Sequence, residues 1–263
     1  MKTINAIKTL ILSLLFALCF TACSSDEPTP TTPMEEEDPT IELAQDGALG
    51  SYITDQEGAT LYYFSKDVNG DSECIGGCLS NWPAFYKADL KAGSGLNQSG
   101  IGVITRSDGS KQNTYKGWPM YYFASDDNAG DIKGEGVGGN WFVAKKDYTF
   151  MIAEQVIDGA SEKYLVDDRG NTLYTFTADE PNVSNCNDGC LTSWPPFSAA
   201  EVVAPSTVDV DKIQVITGNN GGDQNVFDGK PLYYFNQDNN RGDVNGQGAG
   251  GSWFILLEEE ISK

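Results

Sequence analysis

Cysteine, tyrosine and aspartate are the residues of this chain whose spacing could carry chemistry. Four cysteines form two close pairs, Cys74-x3-Cys78 and Cys186-x3-Cys190. Thiols this close could exchange electrons, hold a soft metal or close a disulfide. A Tyr-x-Phe-x-x-Asp pattern occurs four times: Tyr62, Phe64, Asp67; Tyr121, Phe123, Asp126; Tyr174, Phe176, Asp179; and Tyr233, Phe235, Asp238. A recurring phenol and carboxylate could bind a ligand, but the preferred reading is packing by the rings and turn-capping by the aspartate. Asp67, Asn69, Asp71 and Glu73 also place oxygen at alternate positions, as a Ca2+ loop does. They depart from the EF-hand pattern at Ser72, where the turn glycine would stand, and at Cys78, where the bidentate Glu would. Calcium is thus a weak candidate, and no other cofactor is expected.

What is missing narrows the chemistry further. The chain has no histidine. That removes Ser-His-Asp and Cys-His catalysis, the common zinc sites and histidine haem ligation. It also has no phosphate-binding Gly-Lys-Ser/Thr loop. Gly134-x-Gly136-x-Gly138-Gly139 and Gly246-x-Gly248-x-Gly250-Gly251 run straight into Trp-Phe and read as turn-rich approaches to a strand. No carboxylate pair stands out as an acid/base couple, and no enzymatic activity is expected.

The elements that must position these residues are duplicated. The third and fourth motif copies lie 112 residues after the first and second. Residues 52–82 and 164–194 share 14 of 31 positions at that offset, enough to read one unit copied twice. Each unit divides again, since Tyr62 and Trp82 recur 59 residues later as Tyr121 and Trp141. Aromatic and β-branched runs bounded by Asp, Gly and Asn predict hairpins, as in Tyr164–Val166, a turn at 167–171, and Thr172–Phe176. Alternation along a strand puts Tyr62 and Phe64 on one face and Leu61 and Tyr63 on the other. The constant Tyr-x-Phe face is expected to point inward. The expected fold is all-β, with tandem modules of short-stranded hairpins and four half-repeats: module 1 over 47–150, module 2 over 160–259, joined near 150–162.

The start of the chain reads as a targeting segment. Lys2 and Lys8 precede a short apolar run from Leu10 to Phe20, too brief for a comfortable membrane span. Thr21-Ala22-Cys23 resembles a bacterial lipobox, which makes residues 1–22 a signal peptide and Cys23 the lipid-bearing N-terminus, with Cys19 the weaker rival. Ser24-Ser25-Asp26-Glu27 resembles an export signal to the cell surface of a Gram-negative bacterium. Residues 23–46, rich in Pro, Thr and Glu, read as a disordered tether. Removing residues 1–22 takes away two lysines and no acid, so the net charge moves from −21 to −23. A field of that sign repels phosphate backbones, which makes nucleic acid a poor partner.

An exported protein meets an oxidising compartment, where paired cysteines are expected as disulfides. Bridged Cα atoms lie about 4.4–6.8 Å apart, whereas four extended residues span about 13 Å. Ile75-Gly76-Gly77 and Asn187-Asp188-Gly189 must therefore turn tightly if each pair closes on itself.

Together, the four motifs, the order Leu-Tyr-x-Phe-x-x-Asp, Cys-x3-Cys, Trp-Pro, and the lipobox resemble the secreted lipoprotein repeat family of unknown function. Its members are also described as predicted lipoproteins with a Tyr-x-(Phe/Trp/Tyr)-x-x-Asp motif. The resemblance covers residues 50–257 and implies an exported, lipid-anchored tandem repeat, with only Cys23 carried over as a functional residue. The expected function is a non-catalytic outer-membrane lipoprotein of the cell surface, binding or scaffolding an unknown extracellular ligand or protein. Its contact with the membrane runs through the N-terminal lipid. The alternatives are a redox or metal-linked accessory role for the cysteine pairs and an extracellular hydrolase with carboxylate catalysis.

Overall fold

The computed structural model describes residues 40–262, and the expected signal segment, Cys19, Cys23 and the first part of the expected tether lie outside them. The first module opens with strands β1 (Thr40–Asp46), β2 (Gly50–Asp55) and β3 (Tyr62–Phe64), followed by the one-turn helix α1 (Cys78–Asn81). It continues with β4 (Lys91–Ala92), β5 (Ile101–Thr105), β6 (Lys111–Tyr115), β7 (Trp118–Pro119) and β8 (Trp141–Val143). The second module runs through β9 (Phe150–Ile157), β10 (Ala160–Asp167), β11 (Tyr174–Phe176) and α2 (Gly189–Ser193). After these come β12 (Ile213–Thr217), β13 (Asp223–Phe227), β14 (Lys230–Pro231), β15 (Trp253–Ile255) and α3 (Glu258–Ile261). The fold is all-β, in small sheets that repeat: β2-β1-β4 answers to β10-β9, β3-β8 to β11-β15, and β5-β6-β7 to β12-β13-β14. Among the described residues no helix is long and apolar enough to cross a membrane.

Local chemistry explains the corners. Asp55 Oδ1 accepts the amides of Glu57 and Ala59 at 3.0 and 2.9 Å, closing the turn between β2 and β3. Asp167 does the same for Arg169 and Asn171, which is the local turn-making expected of aspartate. The β13–β14 hairpin turns on Asp228 and Gly229, both with positive φ (47° and 77°), as a two-residue primed turn requires.

Three expectations change. Residues 40–46, assigned to the tether, form β1, because Ile41 pairs opposite Asp55 and is fully buried. The module junction also moves. Residues 150–157 form a hairpin with 160–167 that matches β1–β2, so the second module starts at the first strand of that hairpin. Finally, the motif strand has no outward face in module 1. Leu61, Tyr62, Tyr63 and Phe64 are all buried, because Tyr63 packs against Trp118 and Tyr148 under the second module.

The modules share one core, which joins Ile41, Ile53, Val68 and Trp118 to Met151, Tyr164, Val166 and Ile255. Arg241 clamps the seam. Its Nε and Nη1 donate to the carbonyls of Val68 (3.0 Å) and Lys116 (2.9 Å), and its guanidinium lies 4.8 Å from the centre of the Trp118 ring. The Trp118 indole donates to the Asp168 carbonyl at 2.8 Å, and Lys116 pairs with the Asp168 carboxylate at 2.7 Å.

Candidate functional site

The motif tyrosines hold the two half-repeats of each module together. Tyr62 and Tyr121 exchange backbone hydrogen bonds at 2.8 and 3.0 Å, and Tyr174 and Tyr233 do so at 2.8 and 2.9 Å. This reciprocal pairing gives each module a local two-fold arrangement. The side chains then cross over, each phenol reaching the aspartate of the other half-repeat. Tyr62 donates to Asp126 (2.7 Å), Tyr121 to Asp67 (2.6 Å), Tyr174 to Asp238 (2.7 Å) and Tyr233 to Asp179 (2.8 Å). The second oxygen of each carboxylate accepts a backbone amide six or seven residues downstream, from Glu73, Lys133, Asn185 or Asn245. One aspartate thus fastens its own loop and its partner's ring.

Between the crossed pairs stand the tryptophans. Trp82 and Trp141 stack face to face, with ring centres 3.8 Å apart and planes 1° from parallel. Phe123 and Phe64 extend the stack at 4.3 and 4.1 Å. Module 2 repeats the column as Phe235, Trp194, Trp253 and Phe176, again with 3.8 Å between the indoles. Tyr121 and Tyr62 meet the indoles edge-on at 5.1 and 5.4 Å. Gly134 lies so close that an added Cβ would stand 2.7–2.9 Å from the Tyr62 and Trp82 rings, and Gly246 is equally tight against Tyr174 and Trp194.

Each disulfide closes within its pair, Cys74–Cys78 and Cys186–Cys190, with Cα atoms 5.3 and 5.4 Å apart. The Cys74 bridge sits against the aromatic column, in the cluster that holds Trp82, Tyr121 and Trp141. A polar chain ties it to the Tyr121–Asp67 pair. The Tyr121 hydroxyl bonds to Ser72 (2.6 Å), and the buried Arg106 contacts Ser72 and donates to the Cys74 carbonyl (2.6 Å). In module 2 Tyr233 bonds to Ser184 (2.7 Å), and the amide of Asn219 donates to Ser184 and Cys186 carbonyls in place of the arginine.

Burial sets the electrostatics. It pushes the Asp67 carboxyl up to about 7, against the opposing pull of the Tyr121 hydroxyl and the Glu73 amide. It raises Asp126, Asp179 and Asp238 as well. All four motif phenols are also pushed up, first by burial.

The candidate calcium row is not gathered into a cage. Asp67 has both oxygens engaged inside the core, and the Asn69 Oδ1 accepts the Asp71 amide at 3.0 Å. Among the described residues no three His, Cys, Asp or Glu side chains are placed to hold a metal ion.

Sequence reading missed the crossing of the pairs, the Trp–Trp stack, and the roles of Arg106, Asn219 and Arg241. The stack had a signal, since Trp82, Trp141, Trp194 and Trp253 recur with the motifs. A second crossed set also had one: Tyr122 donates to Asp55 (2.8 Å) and Tyr234 to Asp167 (2.9 Å), at positions repeated between modules. Arg241 had none, because Ala129 stands 112 residues earlier.

Four segments, residues 44–86, 102–145, 156–198 and 214–256, match the model of a secreted repeat of unknown function. Each covers one half-repeat, and together they span more than half of the chain. No curated protein and no solved structure matches.

Proposed function

The chain belongs to the family of secreted repeats of unknown function, and from that premise we propose that it is a non-catalytic lipoprotein of the outer cell surface. Lipid on Cys23 would anchor it, and the folded modules would bind or scaffold an extracellular partner. One observation carries this reading. The side chains repeated in all four half-repeats are occupied with one another in the interior, each carboxylate taken by a phenol and a backbone amide. Recognition then falls to the loops that differ between modules.

Lipidation and placement are tested together by feeding cells an alkyne-bearing fatty acid. The wild-type protein should carry the label and be cleaved by protease added to intact cells, and Cys23→Ala should lose the label. A labelled Cys23→Ala protein, or one protected in intact cells, counts against the anchor.

A second reading, redox use of the cysteine pairs, is favoured by one feature. Cys74 and Cys186 are buried, but Cys78 and Cys190 are partly exposed, and thiol–disulfide exchange depends on access to the attacked sulfur. A reduction potential in the range of about −180 to −270 mV would support exchange with cellular carriers. A value below about −300 mV would assign the bridges to structure.

A further inference from the structure

We propose that the indole stack of each module, with its crossed tyrosine–aspartate pairs, is a site of one-electron oxidation that takes a hole from one-electron radical oxidants and stores it as a buried phenoxyl. Three features of the geometry point beyond packing. Aromatic pairs ordinarily settle offset or edge-to-face, because facing quadrupoles repel. Trp82–Trp141 and Trp194–Trp253 lie parallel to within 1° with centres only 3.8 Å apart, closer than the about 4.5–7 Å usual for aromatic pairs. Parallel contact this close lets the positive charge left by one lost electron spread over both indoles. The Phe rings on either side offer their negative faces to the same charge.

The second feature is the phenol beside each indole. Tyr121 and Tyr233 stand 5.1 Å from Trp141 and Trp253, and Tyr62 and Tyr174 stand 5.4 Å from Trp82 and Trp194. Every one of these hydroxyls already points at a carboxylate. The radical oxidant takes one electron from the indole pair and is reduced. An electron from the phenol then refills the indole, while the O–H bond breaks and the proton moves to the aspartate. The products are a neutral phenoxyl and a neutral carboxylic acid, so a buried negative charge disappears, and removing an isolated charge from a low-dielectric site is favourable. Burial holds the Asp67 carboxyl near 7, so in the Tyr121 pair the aspartate is free to take that proton only above that pH.

The third feature is an internal contrast. Tyr63 also lies beside an indole, 6.1 Å from Trp118, but its buried hydroxyl has no hydrogen-bond partner. Its oxidation would leave a positive charge in the core with no base to take the proton, so Tyr63 should not participate.

The test is pulse radiolysis of the full mature protein with the azide radical, a one-electron oxidant that attacks indoles. The indole radical should decay as a phenoxyl radical grows, at a first-order rate independent of protein concentration and slower in D2O. Replacing Tyr62, Tyr121, Tyr174 and Tyr233 with Phe should abolish the fast phenoxyl. The pair Tyr62→Phe with Tyr121→Phe should halve its yield, and Tyr63→Phe should leave it unchanged. Circular dichroism verifies that each variant is folded. If the fourfold variant does not fold, the halved yield and the D2O effect decide. Phenoxyl growth that scales with protein concentration, shows no slowing in D2O, or survives the substitutions overturns the proposal.

Discussion

Asp67 is a carboxylate held in the core, with a phenol on one oxygen and an amide on the other. Its folded pKa, about 7, lies above the value of 3.8 for a free side chain. In the window between those values the folded protein holds a proton that the unfolded chain has released. Stability must therefore fall as pH rises through that window, with a slope of up to ~1.4 kcal/mol per pH unit. Urea midpoints measured from pH 4 to 8 should show this decline in the wild type and a shallower one in Asp67→Asn. Equal slopes would show that Asp67 titrates normally. Gly134 and Gly246 make a separate prediction. Neither has positive φ, so alanine suits the backbone and would slightly reduce unfolded-state entropy. The Cβ would nonetheless stand under 3.0 Å from two packed rings. Overpacking of that kind should win, costing about 1–3 kcal/mol in each variant by denaturant melting.

The disulfide hairpin is the element that separates the two halves of a module, because only the first half-repeat carries it. It bends the chain from Cys74 to Cys78, after which α1 delivers Trp82 into the stack. A bridge across so short a loop stabilises mainly by restricting the unfolded chain, by about 2 kcal/mol. Cys74→Ala with Cys78→Ala should lower stability by that amount and leave β5–β6–β7 protected from hydrogen exchange, since that sheet pairs elsewhere. Global loss of exchange protection would instead make the bridge a condition of folding.

At the scale of the whole molecule, the duplication holds in topology, apart from β4 and α3, but not in surface. The module 1 face formed by Tyr63, Val68 and Trp118 is apolar and buried under module 2. The same face of module 2 carries Thr175, Glu180 and Lys230, with Lys230 paired to Glu260. Two similar repeats become an ordered pair because one face keeps its apolar anchors and the other is polar, as in terminal repeats of stacked arrays. Arg241 completes the asymmetry. Arg241→Ala removes two hydrogen bonds and a cation–π contact, a loss of about 2–4 kcal/mol. The shared core predicts a single unfolding transition in the wild type, and in Arg241→Ala it should split, module by module, in calorimetry. Arg241→Lys should not restore it, because an ammonium cannot donate to two carbonyls while lying flat on Trp118. A single unshifted transition in Arg241→Ala would place the coupling in the apolar core alone.

The sequence by itself determined the all-β class, the two-by-two repetition and the family resemblance. All of these are properties of spacing, turn residues and periodicity, which act over a few neighbouring residues. Folding decided which tyrosine meets which aspartate. The crossing from Tyr62 to Asp126 spans 64 residues and depends on the backbone pairing of Tyr62 with Tyr121. It also decided that β1 reaches back to Thr40, since Pro- and Glu-rich flanking sequence masks a strand whose partners lie in β2 and β4. The seam between modules was illegible for the opposite reason. Repetition reveals what the copies share, whereas Trp118 and Arg241 work because their counterparts, Lys230 and Ala129, are different.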